Sequence, residues 1–182
     1  MERRIRPLER AWEDPAPARA AISAFEQANN VTLPDDYRAL MCAYNGGRVY
    51  PLMFDYTIPR ERYPTTDPAP TTYLDPLYDW AMVENIWNGG IFSHRNPPGM
   101  LVIGSNPGGM EILLSLREAT FGRIFTWLHT LHPWGTEENS TAWEQAATFR
   151  GFMDSLYENA ANEGHAYWHL PGLKHLERPL VF

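Results

Sequence analysis

A few sets of residues in this 182-residue chain have types and spacings that chemistry could use. His165 and His169 stand four apart, with His175 beyond, the spacing at which two imidazoles share a helix face and hold zinc. The residues between them, Ala166, Tyr167 and Trp168, supply no glutamate base, and Gly164 and Pro171 crowd any helix there. Packing or surface histidines are the expectation. His129 and His132 lie near Glu137 and Glu138 in sequence, which is compatible with an acid–base pair. No nucleophile or oxyanion site stands at a defined spacing beside them, and Gly-x-Ser-x-Gly does not occur. Gly104, Gly108 and Gly109 have the look of a phosphate loop, but the Gly-Lys-Ser/Thr ending is missing and a strand pattern follows where a helix should. A hairpin turn is expected. Cys42, the single cysteine, cannot form an internal disulfide and reads as a buried, inert thiol. No catalytic residue, metal site or cofactor is predicted, and the chain is not expected to be an enzyme.

A different set stands out for recognition. Asp55, Tyr56, Glu61, Tyr63, Asp67, Tyr73, Asp75, Tyr78, Asp79, Glu84 and Trp87 gather in and around an irregular stretch. Tyrosine and tryptophan anchor interfaces, and carboxylates steer a basic partner. The same residues would equally serve to pin the stretch to the body and keep it soluble, and both roles stay open on sequence alone.

The elements that must position these residues follow from periodicity. Residues 17–30 are Ala-rich, with Ile22 and Phe25 at helical spacing. Pro34 opens a second helix, Asp35 and Asp36 suit the positive end of its dipole, and Tyr37, Leu40, Met41 and Tyr44 form its apolar face. Asn45-Gly46-Gly47 closes it. Alternation from Arg48 to Ile58 predicts a strand, with Pro51 confining it to an edge or to the residues beyond. Leu77 to Trp87 reads as a short helix with Leu77, Trp80, Ala81, Glu84 and Trp87 on one side. Three strands joined by short turns, at 100–103, 110–116 and 123–129, predict an antiparallel meander. Thr141 followed by Glu144 is a capping-box signature for a last helix reaching Asn159, with Trp143, Ala146, Phe149, Met153 and Leu156 buried. Residues 1–16 read as a loose lead-in or an edge packing segment, and the tail at 160–182 as packed and irregular. The order predicts an α+β fold, an antiparallel sheet packed with helices in a single domain.

Composition narrows the function class. Hydrophobic residues at 44% and charged residues at 20% describe a globular, soluble chain. The net charge of −7 argues against nucleic-acid binding, which needs a basic stripe, and suits a basic protein partner. No apolar run suggests a signal peptide or a membrane span, so the expected compartment is the cytoplasm.

Phe25-Glu26, Leu33-Pro34-Asp35-Asp36-Tyr37 and Tyr44-Asn45-Gly46-Gly47 together resemble the signature of the SUKH superfamily, the Smi/Knr-type domain. Val102 to Ile112, with its Gly-Ser-Asn-Pro-Gly-Gly turn, resembles the second block of that family, and Gly122 to Trp127 the strand after it. Phe149, Phe152 and Leu156 match the closing helix, so the resemblance spans about residues 18–158. It implies an α+β fold and a non-catalytic binding role. Most bacterial members resemble immunity proteins, which neutralise polymorphic or contact-dependent toxins, often nucleases or deaminases. The resemblance marks no partner-binding residue by position. The insert at about 59–98 is where specificity is expected. The leading expectation is an immunity protein that occludes a toxin domain, with a basic nuclease suited to the charge. The alternative is a regulatory scaffold for an endogenous partner, and a hydrolase using the loop histidines ranks below both.

Overall fold

The computed structural model describes residues 3–8, 16–63, 69–158 and 176–182. Its elements run β1 (Arg4–Arg6), α1 (Ala16–Asn29), α2 (Asp35–Tyr44), β2 (Arg48–Tyr50), β3 (Met53–Asp55), β4 (Thr71–Tyr73), α3 (Trp80–Trp87), β5 (Met100–Ser105), β6 (Met110–Ser115), β7 (Ile124–Leu128), β8 (Trp143–Ala146), α4 (Phe149–Ser155) and β9 (Arg178–Pro179). The strands form three antiparallel sheets, ordered β2-β1-β9, β3-β4 and β5-β6-β7-β8. Mixed with four helices, this is the α+β class that the periodicity predicts.

The four-stranded sheet is covered on both faces because its residues alternate between two apolar clusters. Leu101, Ile103, Ile112, Leu114 and Ile124 join the main core with Ile22 and Phe25 of α1, Tyr37 and Leu40 of α2, and Phe149 and Phe152 of α4. Met100, Val102, Leu113, Phe125 and Trp127 form the opposite cluster with Ile86 of α3 and Phe92. Edge-to-face aromatic pairs tie elements together, Phe25 with Trp80 at 5.2 Å and Tyr37 with Phe149 at 5.1 Å between ring centres.

The helix ends explain the polar residues of the signature. Glu26 accepts from the Leu33 N–H at 2.9 Å and pairs with Arg38, fixing the short link between α1 and α2. Asp36 accepts from the Arg150 N–H at 2.8 Å, in the first turn of α4, where a carboxylate meets the positive end of the dipole. Asn45 takes the left-handed conformation that closes α2, its N–H bonding Met41 O. Its side chain also accepts from Trp80 N–H at 2.8 Å, at the start of α3. One asparagine therefore serves as the C-terminal cap of one helix and an N-terminal partner for another.

Between them runs the extended segment 75–79. Gly47 and Leu77 exchange both backbone bonds, at 3.0 and 2.9 Å, while Tyr78 N–H reaches Ile103 O at 2.9 Å. This segment thus joins β2 to the outer edge of β5. It fits because side chains are absent where it passes: a Cβ on Gly46 would lie 2.4 Å from Tyr78 O, and one on Gly104 2.7 Å from Pro76 O.

Several expectations require correction. The strand at 48–58 is two strands, β2 and β3, broken at Pro51, which has no N–H for a ladder, and the chain changes partner there from β1 to β4. Residues 143–146 are the fourth strand of the meander and not the start of a helix. The capping box of Thr141 and Glu144 does not form; Glu144 faces Arg123 across the strand pair, and Thr148 caps α4 by accepting from Gly151 N–H. The α3 face is Trp80, Val83 and Ile86, while Ala81 is exposed and Leu77 is extended. Of the lead-in, residues 4–6 are the middle strand of a sheet, between β2 and β9.

Two substitutions test this packing. Gly46→Ala meets both a left-handed φ of 78° and a clash with backbone, whereas Gly89→Ala meets a φ of 86° in open space. Urea unfolding should show Gly89→Ala losing about 1 kcal/mol and Gly46→Ala at least about 2 kcal/mol more. Equal losses would mean that the 75–79 segment is not held against Gly46. Tyr37 is fully buried with no partner for its hydroxyl among the described residues, and burial pushes that hydroxyl far above its ordinary pKa. Tyr37→Phe should accordingly raise stability by about 1 kcal/mol; a loss of that size would reveal a bond to the hydroxyl.

Candidate partner-binding surface

The acidic and aromatic residues singled out for recognition separate into groups with different environments. Tyr56 is buried, and its ring meets Tyr63 edge-to-face at 5.2 Å. The Tyr63 hydroxyl accepts from Asn106 Nδ2 at 3.1 Å. Asn106 is the centre of this corner, because its Oδ1 accepts from the N–H groups of Gly108 and Met110 while its Nδ2 also reaches Thr72 Oγ1 at 2.8 Å. The hairpin turn after β5 and the irregular insert are thereby fixed to each other. Asp55 accepts from the Tyr157 hydroxyl at 2.5 Å, and its carbonyl from Gln145 of β8 at 2.7 Å. Tyr73 packs on Leu52 and Met53 with Tyr50 and Tyr157.

The rest lie along segment 75–79 and α3. Asp75 pairs with Arg48 at 2.7 Å. Asp79 is buried and caps α3 by accepting from Met82 N–H at 2.9 Å. Tyr78 donates to Glu111 Oε2 at 3.0 Å, and burial together with that carboxylate pushes the Tyr78 hydroxyl far above its ordinary pKa, so it stays a donor. Trp87 is half-buried, with its ring against Phe25 at 5.4 Å and its N–H on Asn29 Oδ1 at 3.1 Å. Glu84 is partly exposed and Glu61 exposed. Asp67 lies outside the described residues, as do His165, His169 and His175.

The histidines near the end of β7 part company. His132 meets Glu137 at 3.1 Å on the surface, while His129 faces Glu111 at 3.5 Å between the rings of Phe92 and Trp127. Glu111 is 4% exposed and shares its carboxylate between His129 and Tyr78. Sequence reading did not single it out, although its place opposite Ile112 and Leu114 in a strand buried on both faces signals an enclosed carboxylate. The imidazole contacts of both are with carboxylates and aromatic rings, while the Thr130 hydroxyl accepts from the His132 backbone N–H at 3.1 Å. Among the described residues no group of three or more His, Cys, Asp or Glu could hold a metal ion. Nor is any described helix long and apolar enough to cross a membrane.

A second surface lies beside the insert. Glu61, Arg62, Leu128, Thr130, Glu138 and Trp143 line an open cleft of about 290 Å³. Trp143 was expected inside a helix; as the first residue of the edge strand β8 it is half-exposed and forms part of this wall. Arg62 donates to the Glu138 carbonyl at 3.1 Å, which closes the cleft between insert and loop.

No curated protein matches the chain. The SMI1 / KNR4 family (SUKH-1) matches it over residues 17–155. That span contains Glu26, Asp36, Asn45 and Asn106, the side chains seen here joining one element to the next. On this match, over most of its length and in the α+β fold the structure has, the chain belongs to the SMI1 / KNR4 family (SUKH-1).

Proposed function

We propose that this protein is an immunity protein, which binds the toxic domain of a cognate bacterial toxin and blocks it by occlusion, without chemistry of its own. The observation that carries this reading is the use made of the signature's polar side chains. Glu26, Asp36, Asn45 and Asn106 each satisfy backbone N–H groups at a helix end or a turn, so the signature builds a scaffold and leaves recognition to the outer surface. The family membership supplies the binding role, and the net charge of −7 supplies the partner's sign. A basic nuclease domain suits that charge, because a carboxylate-rich surface both attracts it and competes for the groups that hold nucleic acid. The partner-facing residues we assign are the exposed or partly exposed members of that set on β3, the insert and α3: Asp55, Glu61, Tyr63, Tyr73, Glu84 and Trp87. The binding itself takes place in the cytoplasm of the producing cell.

Affinity capture from the source cell's lysate and secreted fraction, with this chain as bait, tests the reading. Recovery of a toxin C-terminal domain is the expected result; recovery of endogenous regulators alone would overturn it in favour of a scaffold. With the captured domain purified, raising salt from about 0.05 M to about 0.5 M should slow association about tenfold or more, since screening removes charge steering. A salt-independent association rate would remove the electrostatic part of the proposal.

A further inference from the structure

The cleft between the insert and the loop that precedes β8 has features which the proposed binding role does not by itself require. Its two carboxylates, Glu61 and Glu138, form no ion pair or side-chain hydrogen bond among the described residues. Arg62 lines the same cleft, but its guanidinium is turned onto the Glu138 carbonyl and pairs with neither carboxylate. A carbonyl does not neutralise that guanidinium, so Arg62 offsets part of the charge of the two carboxylates and the cleft keeps a net negative charge. Leu128 and the partly buried indole of Trp143, both also packed on the main core, supply the apolar part of an otherwise polar lining.

The loop that forms one wall is tied down by hydrogen bonds of its own. Asn139, 1% exposed, donates to the carbonyls of Arg95 and His132 at 2.8 Å each and accepts from the Trp127 indole N–H at 2.8 Å. Arg95 in turn donates to Thr130 O at 3.2 Å and Ile91 O at 2.6 Å. Gly135 N–H bonds Asn139 O and Thr136 N–H bonds Pro133 O, closing the loop on itself. Yet this braced loop holds Leu131 with 87% of its surface in water, and Ile91, on the other side of Arg95, at 52%. Leu131 follows Thr130 of the cleft lining directly in sequence, and an exposed apolar side chain on a braced loop next to a charged cleft has the makeup of an interface.

We infer that this cleft receives an arginine side chain of the basic protein partner, its guanidinium against Glu61 and Glu138 and its plane on the Trp143 indole, with Leu131 the apolar contact alongside. The inference rests on the immunity reading for the identity of the partner, but the cleft's chemistry stands by itself. Arginine is the occupant because its planar fork matches carboxylates and stacks on an indole, whereas a lysine ammonium offers a compact, strongly hydrated charge and no plane. About 290 Å³ admits one such side chain. The carboxylates give the sign, the indole the shape.

The test uses the intact protein labelled with ¹⁵N at its tryptophan indoles, the Trp143 signal being the one lost in Trp143→Phe. N-acetyl-arginine amide is the probe, and N-acetyl-citrulline amide, the same shape without charge, is the control. The expected result is a saturable shift of the Trp143 indole with arginine at millimolar concentration and none with citrulline. The double variant Glu61→Gln/Glu138→Gln should raise the midpoint about tenfold or more, as two charge-assisted hydrogen bonds are weakened. No Trp143 shift, an equal shift with citrulline, or an unchanged midpoint in the double variant would each overturn the inference. Both glutamates are surface residues, and an unchanged urea midpoint confirms that the double variant is folded. Capture of a toxin with a silent Trp143 would remove the cleft alone; a responsive Trp143 with only regulators captured would remove the immunity reading alone.

Discussion

The reciprocal backbone bonds between Gly47 and Leu77 are the joint on which the structure depends. They hold segment 75–79 between β2 on one side and the edge of β5 on the other, so the sheet containing the chain's first strand and the four-stranded sheet become continuous through it. The joint is sterically strict. Gly46, Gly47 and Gly104 each lie where a Cβ would meet backbone atoms at less than 3 Å. Backbone cannot move aside as the end of a long side chain can, so the approach is available only to glycine. Once the segment is seated, Asp79 and Asn45 start α3, Tyr78 reaches Glu111, and α3 closes the second face of the sheet through Ile86.

The same kind of contact accounts for the polar side chains of the signature. A carboxylate or amide beside a helix end satisfies N–H groups that would otherwise stay unpaired, and each such bond fixes an angle between elements. Glu26 fixes α1 to α2, Asp36 fixes α2 to α4, Asn45 fixes α2 to α3, and Asn106 fixes the β5–β6 turn to the insert. Side chains engaged in this way are poor candidates for contacting a partner. Exposed groups without such work, among them Glu61, Glu138 and Leu131, are free to vary in identity without disturbing the scaffold.

Much of the architecture was legible because local signals agreed with the final packing. The period of α2, its acidic start and its Asn-Gly-Gly end all describe one helix, and that helix forms. The meander was legible from alternation, since each strand contributes to both buried faces and is bounded by turn residues. The failures came where long-range contacts overrode local signals. Thr141 and Glu144 read as a capping box, but Glu144 gains Arg123 and the Trp143–Ala146 backbone gains a ladder with β7. Pairing of residues 4–6 with residues near the chain's other end has no local signature at all. For recognition, the sequence pointed to aromatics and carboxylates as a class but could not say which were occupied. Asp79 and Glu61 are both carboxylates on paper, and only three-dimensional neighbours distinguish a helix cap from a cleft wall.

We propose that the signature builds the body and that the insert, α3 and the cleft beside them do the binding. Hydrogen exchange of the free protein and of its complex with the captured toxin domain tests this most directly. New protection is expected at Asp55, Glu61, Arg62, Tyr73, Glu84 and Trp87 and from Thr130 to Trp143, with exchange at Gly47, Leu77 and Trp80 unchanged. New protection centred on Gly47, Leu77 and Trp80, with the cleft residues exchanging as before, would contradict it.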